Sequence, residues 1–307
     1  MSKPHIGITQ GDADGVGPEI IVKSLEKIFL QKVCKPVIFG DPHVFPRFPK
    51  KIDYEFVAVN SICSQLGALS LSVLRCFEGK ISAIVTAPVN KNKISKELGT
   101  TFIGHTEYLA KQCEDRFHKK FHPTMFFIGK NERLALVTTH LPLSKVSTSI
   151  TRPLLKKTIC NVYSALRSHF KILTPRLAIL GINPHAGENG LIGNEENKIF
   201  KPIFLWAKKQ NIHIEGPFSA DSFFATKAHL FDTTIAMYHD QGLAPFKLRN
   251  YTDAVNVTIG LPIIRTSVDH GVGYDIVRTN TANPQSMISA IHLAAKMSQC
   301  GTTRNVL

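Results

Sequence analysis

Three histidines stand just past three apolar runs: His140 in TTHLPL, His185 in NPHAGENG and His239 in MYHDQG. Neutral imidazole binds divalent transition ions well, and three protein ligands with one open position suit a catalytic metal better than a structural one. The intervals between them are too long for a local metal motif. The set has meaning only if the fold gathers strand ends, as open parallel sheets do beyond the carboxyl ends of their strands. Read singly, each histidine is a hydrogen-bonded strand cap. Read together, with Gly187, Gly190 and Gly242 permitting close backbone approach, they form a ligand set. Asp240 is a fourth ligand, an orienting partner of His239 or the cap of the next turn, and the sequence leaves these three open.

A second group points to anions. FIGHTEYL places His105 and Thr106 where a helix begins, and free backbone N–H groups at such an end receive phosphate readily; the alternative is that Thr106 only caps the helix. Lys247, Asn256 and Arg265 lie in or beside PFKLRN and NVTIGLPIIRTSVDHG, where arginine can clamp a carboxylate or phosphate and lysine offers a mobile charge. GDADGVGPE, residues 11–19, resembles a phosphate-cradling turn in outline. Its spacing matches neither the dinucleotide fingerprint nor a P-loop, so it reads first as a tight strand-to-helix connection.

These residues need elements to hold them. HIGIT, a glycine turn, GPEIIVKSLEKIFL with Pro18 in its first turn, and then PVIF open a parallel α/β unit as strand, helix, strand. ISAIVTAP, LALVTTH, LAILGINPH and TTIAMYHD continue it as apolar strands covered on both faces. Helical spacing runs from Ser144 to Phe170 and again over EENKIFKPIFLWAKKQ, where Pro202 sits as a potential kink, and Asn283–Pro284 open a last helix. The expected organisation is two α/β domains around a cleft: a discontinuous domain of residues 1–125 and 251–307, and a central domain of 126–250.

Composition bounds the function. The chain of 307 residues carries a formal charge of +14, but its lysines fall in scattered pairs such as Lys119–Lys120 and Lys156–Lys157, which fits an anionic small substrate better than nucleic acid. No apolar run has membrane-spanning length and the N-terminal stretch lacks an apolar core, so neither a membrane span nor a signal peptide is expected. Cys34, Cys63, Cys76, Cys113, Cys160 and Cys300 have no CxxC or disulfide-framework spacing, which fits packing roles in a cytoplasmic protein. Chemistry alone therefore reaches a metal-dependent enzyme of an anionic small molecule. A hydrolase and a noncatalytic anion binder stay open at this level.

The blocks GDADGVGPE, TAPVNK, FIGHTEYL, THLPL, NPHAGENG, MYHDQG and NVTIGLPIIRTSVDHG, in this order over nearly the whole chain, resemble the 4-hydroxythreonine-4-phosphate dehydrogenase family of vitamin B6 biosynthesis. The resemblance implies an isocitrate/isopropylmalate dehydrogenase-like α/β fold, not of the Rossmann type, and a homodimer whose active sites take residues from both subunits. It implies that His140 and His185 of one subunit and His239 of the other hold one divalent cation (Zn, Mg, Mn or Co). It also implies that His105, Thr106, Lys247, Asn256 and Arg265 contact substrate, and that Asp221 and Lys247 serve catalysis. NAD would accept the hydride, through contacts that the motifs do not identify. The implied substrate is 4-phosphooxy-L-threonine. Related proteins with the same blocks oxidise phosphorylated four-carbon sugar acids, phosphoerythronate or phosphothreonate, and a metal-dependent phosphohydrolase is the alternative of another class. Two stretches depart from the family pattern. Ala13 and Asp14 replace proline and alanine, and Arg278, Thr279 and Asn280 replace a glycine- and lysine-containing turn. Asp14 would weaken a nearby anion site if it points inward and would matter little in solvent.

Overall fold

The computed structural model describes residues 2–45, 48, 52–61 and 63–300. The chain divides into two compact units, one made of residues 1–123 and 255–307 and the other of residues 124–254.

The first unit opens with β1 (His5–Thr9), α1 (Gly17–Leu25), α2 (Ile28–Val33), β2 (Lys35–Gly40) and β3 (Glu55–Ala58). It continues through α3 (Ser64–Phe77), β4 (Ala83–Thr86), α4 (Lys91–Leu98) and α5 (His105–Phe117). In α1, Glu19 lies in the positive first turn behind Pro18 and pairs with Lys23 one turn on, at 2.8 Å. β4 is buried at every position, as a strand covered on both faces should be. The core is built by Val37 and Phe39 of β2, Ile84 of β4, Leu69 and Val73 of α3 and Leu109 of α5.

The second unit contains β5 (Thr124–Ile128), β6 (Arg133–Leu136), α6 (Leu143–Ser149), α7 (Arg152–Phe170), β7 (Arg176–Leu180), α8 (Lys201–Lys209), β8 (His213–Phe218), α9 (Ala220–Thr226), β9 (Thr233–Ala236) and α10 (His239–Asn250). Its strands lie in the order β5-β6-β9-β7-β8. Leu134, Leu136, Ala178, Leu180 and Ala236 of those strands pack against Phe223 of α9 and Leu243 and Phe246 of α10.

The chain then re-enters the first unit as β10 (Val255–Ile259), β11 (Arg265–Ser267) and α11 (Gln285–Cys300), giving that unit the order β3-β2-β1-β4-β11-β10. Asn283 opens α11, its Oδ1 accepting from the Gln285 N–H at 2.9 Å.

Three local expectations change. The strands are not all parallel: β5 with β6 and β10 with β11 pair antiparallel. The helical stretch from 144 to 170 is two helices, because Thr151 is extended and its hydroxyl caps a fresh start at Leu154 N–H, 3.3 Å away, just where Pro153 supplies a first-turn residue. The helical stretch before Gln210 is continuous, but it runs as a π turn over Glu196–Phe200 directly into α8, so its hydrogen-bond pattern changes beside Pro202.

All six cysteines are free, and burial pushes the thiols of Cys34, Cys76 and Cys113 up to about 12, as packing residues require. Among the described residues no helix is long and apolar enough to cross a membrane.

Candidate active site

In the first unit the anion-binding candidates share one neighbourhood. Helix α5 starts at His105, and its N-cap is Gly104, which offers no side chain to the first-turn N–H groups. Thr106 therefore lies inside the first turn and is not the cap. A Cβ placed on Gly104 would lie 2.9 Å from Glu107 Oε2 and 3.4 Å from Lys91 Nζ, so a carboxylate and an ammonium both stand at this helix end. Arg265 of β11 is only 4% exposed. Its Nε and Nη2 donate to Thr86 Oγ1 at 3.1 and 2.7 Å, and Nη1 donates to Thr258 Oγ1 at 3.2 Å. Strand register explains both contacts: Arg265 is paired directly with Thr258 of β10, and β11 lies beside β4, which ends at Thr86.

The guanidinium is thus held by hydroxyls, and among the described residues no carboxylate is hydrogen-bonded to it. Burial pushes its pKa down to about 10, only partly opposed by the charge of Glu107. Burial, then the charges of Arg265 and Lys91, hold His105 well below the ordinary imidazole value, so it is neutral at physiological pH. His105 Nε2 and Asn256 Oδ1 are buried without a hydrogen-bond partner among the described residues. A buried guanidinium with the Glu107 carboxylate near it but not hydrogen-bonded to it among the described residues, beside a lysine, a neutral imidazole and a helix N-terminus without a side-chain cap, is an arrangement that can receive an anion.

The second unit gathers the other candidates. β6 and β9 are parallel neighbours with Leu136 opposite Ala236, so the segments leaving their carboxyl ends run side by side. That places the rings of His140 and His239 with centroids 5.7 Å apart in the same chain. His239 Nδ1 lies 2.6 Å from Asp240 Oδ1, so Asp240 orients this imidazole and leaves Nε2 for a ligand. Gln241, unnoticed in the sequence, ties the start of α10 down: its Oε1 accepts from Met237 N–H at 2.7 Å and its Nε2 donates to Gly181 O at 2.6 Å.

His185 follows β7 in a turn of left-handed residues, and Asp221 lies in the first turn of α9. The Ser219 hydroxyl donates to Asp221 and is the main reason its carboxyl lies below the usual range, with the nearby charge of His185 adding to the effect. Lys247 is half-buried further along α10. Among the described residues, no three His, Cys, Asp or Glu side chains of one chain come together to hold a metal ion.

The two departures noted in the sequence meet each other in the first unit. Asp14 is 70% exposed and pairs with Lys93 at 2.7 Å. Its carboxyl is lowered first by that hydrogen bond, and also by the charge of Arg278. Lys93 also reaches the buried Asp12 at 3.4 Å, and Asp12 accepts a hydrogen bond from Tyr274. The additional negative charge is therefore compensated where it stands.

The profile of the pyridoxal phosphate biosynthetic protein PdxA matches residues 51–294. The chain belongs to the PdxA family. It is 39% identical over 330 residues to a 4-hydroxythreonine-4-phosphate dehydrogenase of Desulforapulum autotrophicum, covering 96% of this chain and 95% of that one. It is also 38% identical over 333 residues to an Oceanobacillus iheyensis protein named for D-threonate 4-phosphate dehydrogenation, covering 96% and 98%. Among solved structures, the 4-hydroxythreonine-4-phosphate dehydrogenase of Klebsiella pneumoniae is similar with a TM-score of 0.82 at 31% identity, over 97% of this chain and 98% of that one.

The isocitrate dehydrogenase of Methylococcus capsulatus shares the fold, with a TM-score of 0.51 at 12% identity over 96% of this chain and 88% of that one. The PdxA fold is thus the α/β arrangement of the isocitrate dehydrogenases, and this chain is a dehydrogenase. Thr86 and Lys91 lie in TAPVNK, Gln241 in MYHDQG and Thr258 in NVTIGLPIIRTSVDHG, yet residue type alone gives them no role; strand register brings Thr86 and Thr258 to Arg265.

Proposed function

We propose that the chain catalyses the NAD-dependent, divalent-metal-dependent oxidation of the C3 hydroxyl of 4-phosphooxy-L-threonine to 2-amino-3-oxo-4-phosphooxybutanoate. That β-keto acid loses carbon dioxide to give 3-amino-1-hydroxyacetone phosphate, a step in pyridoxal phosphate biosynthesis. The observation that carries the substrate class is Arg265: a buried guanidinium oriented by two threonines, with no carboxylate hydrogen-bonded to it among the described residues, beside the neutral His105 and the uncapped start of α5.

In this reading Arg265, His105, Thr106, Asn256 and Lys247 bind the phosphate and carboxylate of the substrate, leaving its C3–H to face the nicotinamide. His140, His185 and His239 hold the cation. Their chemistry fits: two imidazoles already stand together, one of them oriented by a carboxylate, and the third lies near Asp221. When bound, a divalent cation supplies Lewis acidity toward the substrate oxygen. Asp221, beside His185, accepts the hydroxyl proton as hydride leaves C3 or orients that ligand. Lys247 supplies positive charge and a proton to the carbanionic carbon left by decarboxylation.

The homodimer is part of the proposal. Leu141, Leu143, Leu191 and Leu248 in the second unit are 43, 71, 83 and 88% exposed, apolar side chains that a second subunit would cover in this reading. A cytoplasmic location fits the six free cysteines.

The relative named for D-threonate 4-phosphate is nearly as similar as those named for 4-hydroxythreonine 4-phosphate, so a phosphorylated sugar acid is the second reading. Nicotinamide reduction is to be followed with metal-stripped protein restored with Mg²⁺, Mn²⁺, Co²⁺ or Zn²⁺, using 4-phosphooxy-L-threonine, D-threonate 4-phosphate and D-erythronate 4-phosphate in separate reactions. Metal-dependent reduction with the amino acid is the expected result. Reduction with a sugar acid alone replaces the substrate assignment, and phosphate release without nicotinamide reduction overturns the dehydrogenase reading.

A further inference from the structure

The segment carrying His185 is folded against local preference. His185, Ala186, Gly187, Glu188 and Asn189 run consecutively at φ of 50, 51, 76, 40 and 57°. Four of the five bear side chains in the left-handed region, where each costs on the order of 1 kcal/mol, so the surroundings must impose the turn.

The group that meets the turn from inside is Glu196. It is 7% exposed, and its Oε1 accepts from the backbone N–H groups of Ile182 at 2.9 Å and Asn183 at 2.8 Å. Oε2 accepts from the Asn183 side-chain amide at 3.0 Å. The carboxylate also fills the hollow of the loop: a Cβ on Gly187 would lie 2.6 Å from Oε2, which is why glycine is needed there beyond its φ of 76°.

Glu196 is in turn anchored. It opens the π turn, whose Lys198 carbonyl accepts two hydrogen bonds from Arg152 of α7, at 3.0 and 2.7 Å. Neighbouring Glu195 holds the same Asn183 amide at 2.9 Å and accepts from Ser147 of α6 at 3.0 Å. The loop is thus pulled to two helices through a pair of adjacent carboxylates.

We infer that Glu196 is the positioning residue of His185, locking the left-handed turn so that the imidazole is presented in one direction before any ligand arrives. The inference rests on the proposed role of His185 as a metal ligand. The probe is Co²⁺ alone, titrated into the metal-stripped protein and into Glu196→Ala, Glu196→Gln and His185→Ala, alongside amide exchange of the metal-free proteins.

Glu196→Ala is expected to weaken Co²⁺ binding about 10- to 100-fold, the range for loss of a group that orients a ligand. Faster exchange is expected over residues 182–190 while α7 and β7 keep their protection. Glu196→Gln retains an acceptor for the two backbone N–H groups but sets an amide N–H₂ against that of Asn183, so it should restore only part of the affinity. A purely structural role would lower stability without this graded loss of metal affinity in folded protein. If His185→Ala weakens Co²⁺ binding while both Glu196 variants bind like the parent, the inference fails and the metal assignment stands. If His185→Ala itself binds like the parent, both fall. Should Glu196→Ala not fold, Glu196→Asp decides, because its carboxylate is one methylene short of the Ile182 and Asn183 N–H groups: Co²⁺ affinity and loop exchange like the parent's overturn the inference.

Discussion

At the scale of single residues, the decisive contrast is between Arg265 and His105, two basic side chains that burial pushes in the same direction with different outcomes. Arg265 falls only to about 10 and stays charged, while His105 falls well below the usual imidazole value and stays neutral. One therefore attracts an anion and the other offers a neutral imidazole beside it. Arg265→Lys keeps a charge and loses the planar fork, so kcat/KM for the phosphorylated substrate should fall roughly 30- to 100-fold, mostly through KM, with KM for NAD unchanged. Steady-state kinetics with each substrate varied in turn would check this.

The histidine also makes a stability prediction. Because its folded pKa lies below its unfolded value, the unfolded chain binds the extra proton first as pH falls below about 6.5, and stability declines there by up to about 1.4 kcal/mol per pH unit. Above that pH both states are neutral at this position and the effect vanishes. His105→Asn should flatten this acid-side slope, measured as melting temperature against pH. Both residues were legible as anion-site candidates from type and context. Their protonation behaviour was not, because it depends on burial and on the charges of Glu107 beside Arg265 and of Arg265 and Lys91 beside His105, which only folding brings near.

At the scale of elements, the metal-ligand candidates are placed by strands rather than by local motif. β6 and β9 lie side by side in register, so His140 and His239 come together although they are far apart in sequence. Gln241 then fixes where α10 starts by bridging Met237 and Gly181. The adjoining Gly242 lies against that sheet, and a Cβ there would come within 2.8 Å of Ala236 Cβ and Leu134 Cδ1. Gly242→Ala should therefore push α10 away from β6 and β9, costing about 1–3 kcal/mol in denaturant unfolding and reducing turnover through His239. The run-on helices show the reverse case. Apolar spacing from 144 to 170 is compatible with one helix, and the capping hydroxyl of Thr151 makes it two.

At the scale of the whole molecule, the question is whether one chain completes its metal site. His140 and His239 stand together in one chain, whereas the family resemblance gives His239 to the partner. Mixing separately inactive His140→Ala and His239→Ala proteins under conditions of subunit exchange distinguishes the two. With shared sites, each mixed dimer keeps one intact ligand set, and activity should return to about a quarter of the parent value. No recovery, in dimers shown by mass to have exchanged, would place all three ligands in one chain. The same proteins should be dimers by light scattering, and Leu143→Asp with Leu248→Asp should yield folded monomers without turnover, because both leucines are widely exposed.

The sequence by itself determined the α/β class, the run of strands and helices, the family, and the residue types from which the candidate site is made. These are properties of periodicity, turn chemistry and motif order, which local physics writes directly into the chain. The tertiary structure alone decided which strands pair antiparallel, that Thr86 and Thr258 orient Arg265, that Asp14 is answered by Lys93 and Arg278, and that Glu196 underlies the turn of His185. Each of these joins residues distant in the chain, and each depends on strand register or burial, which no local segment encodes.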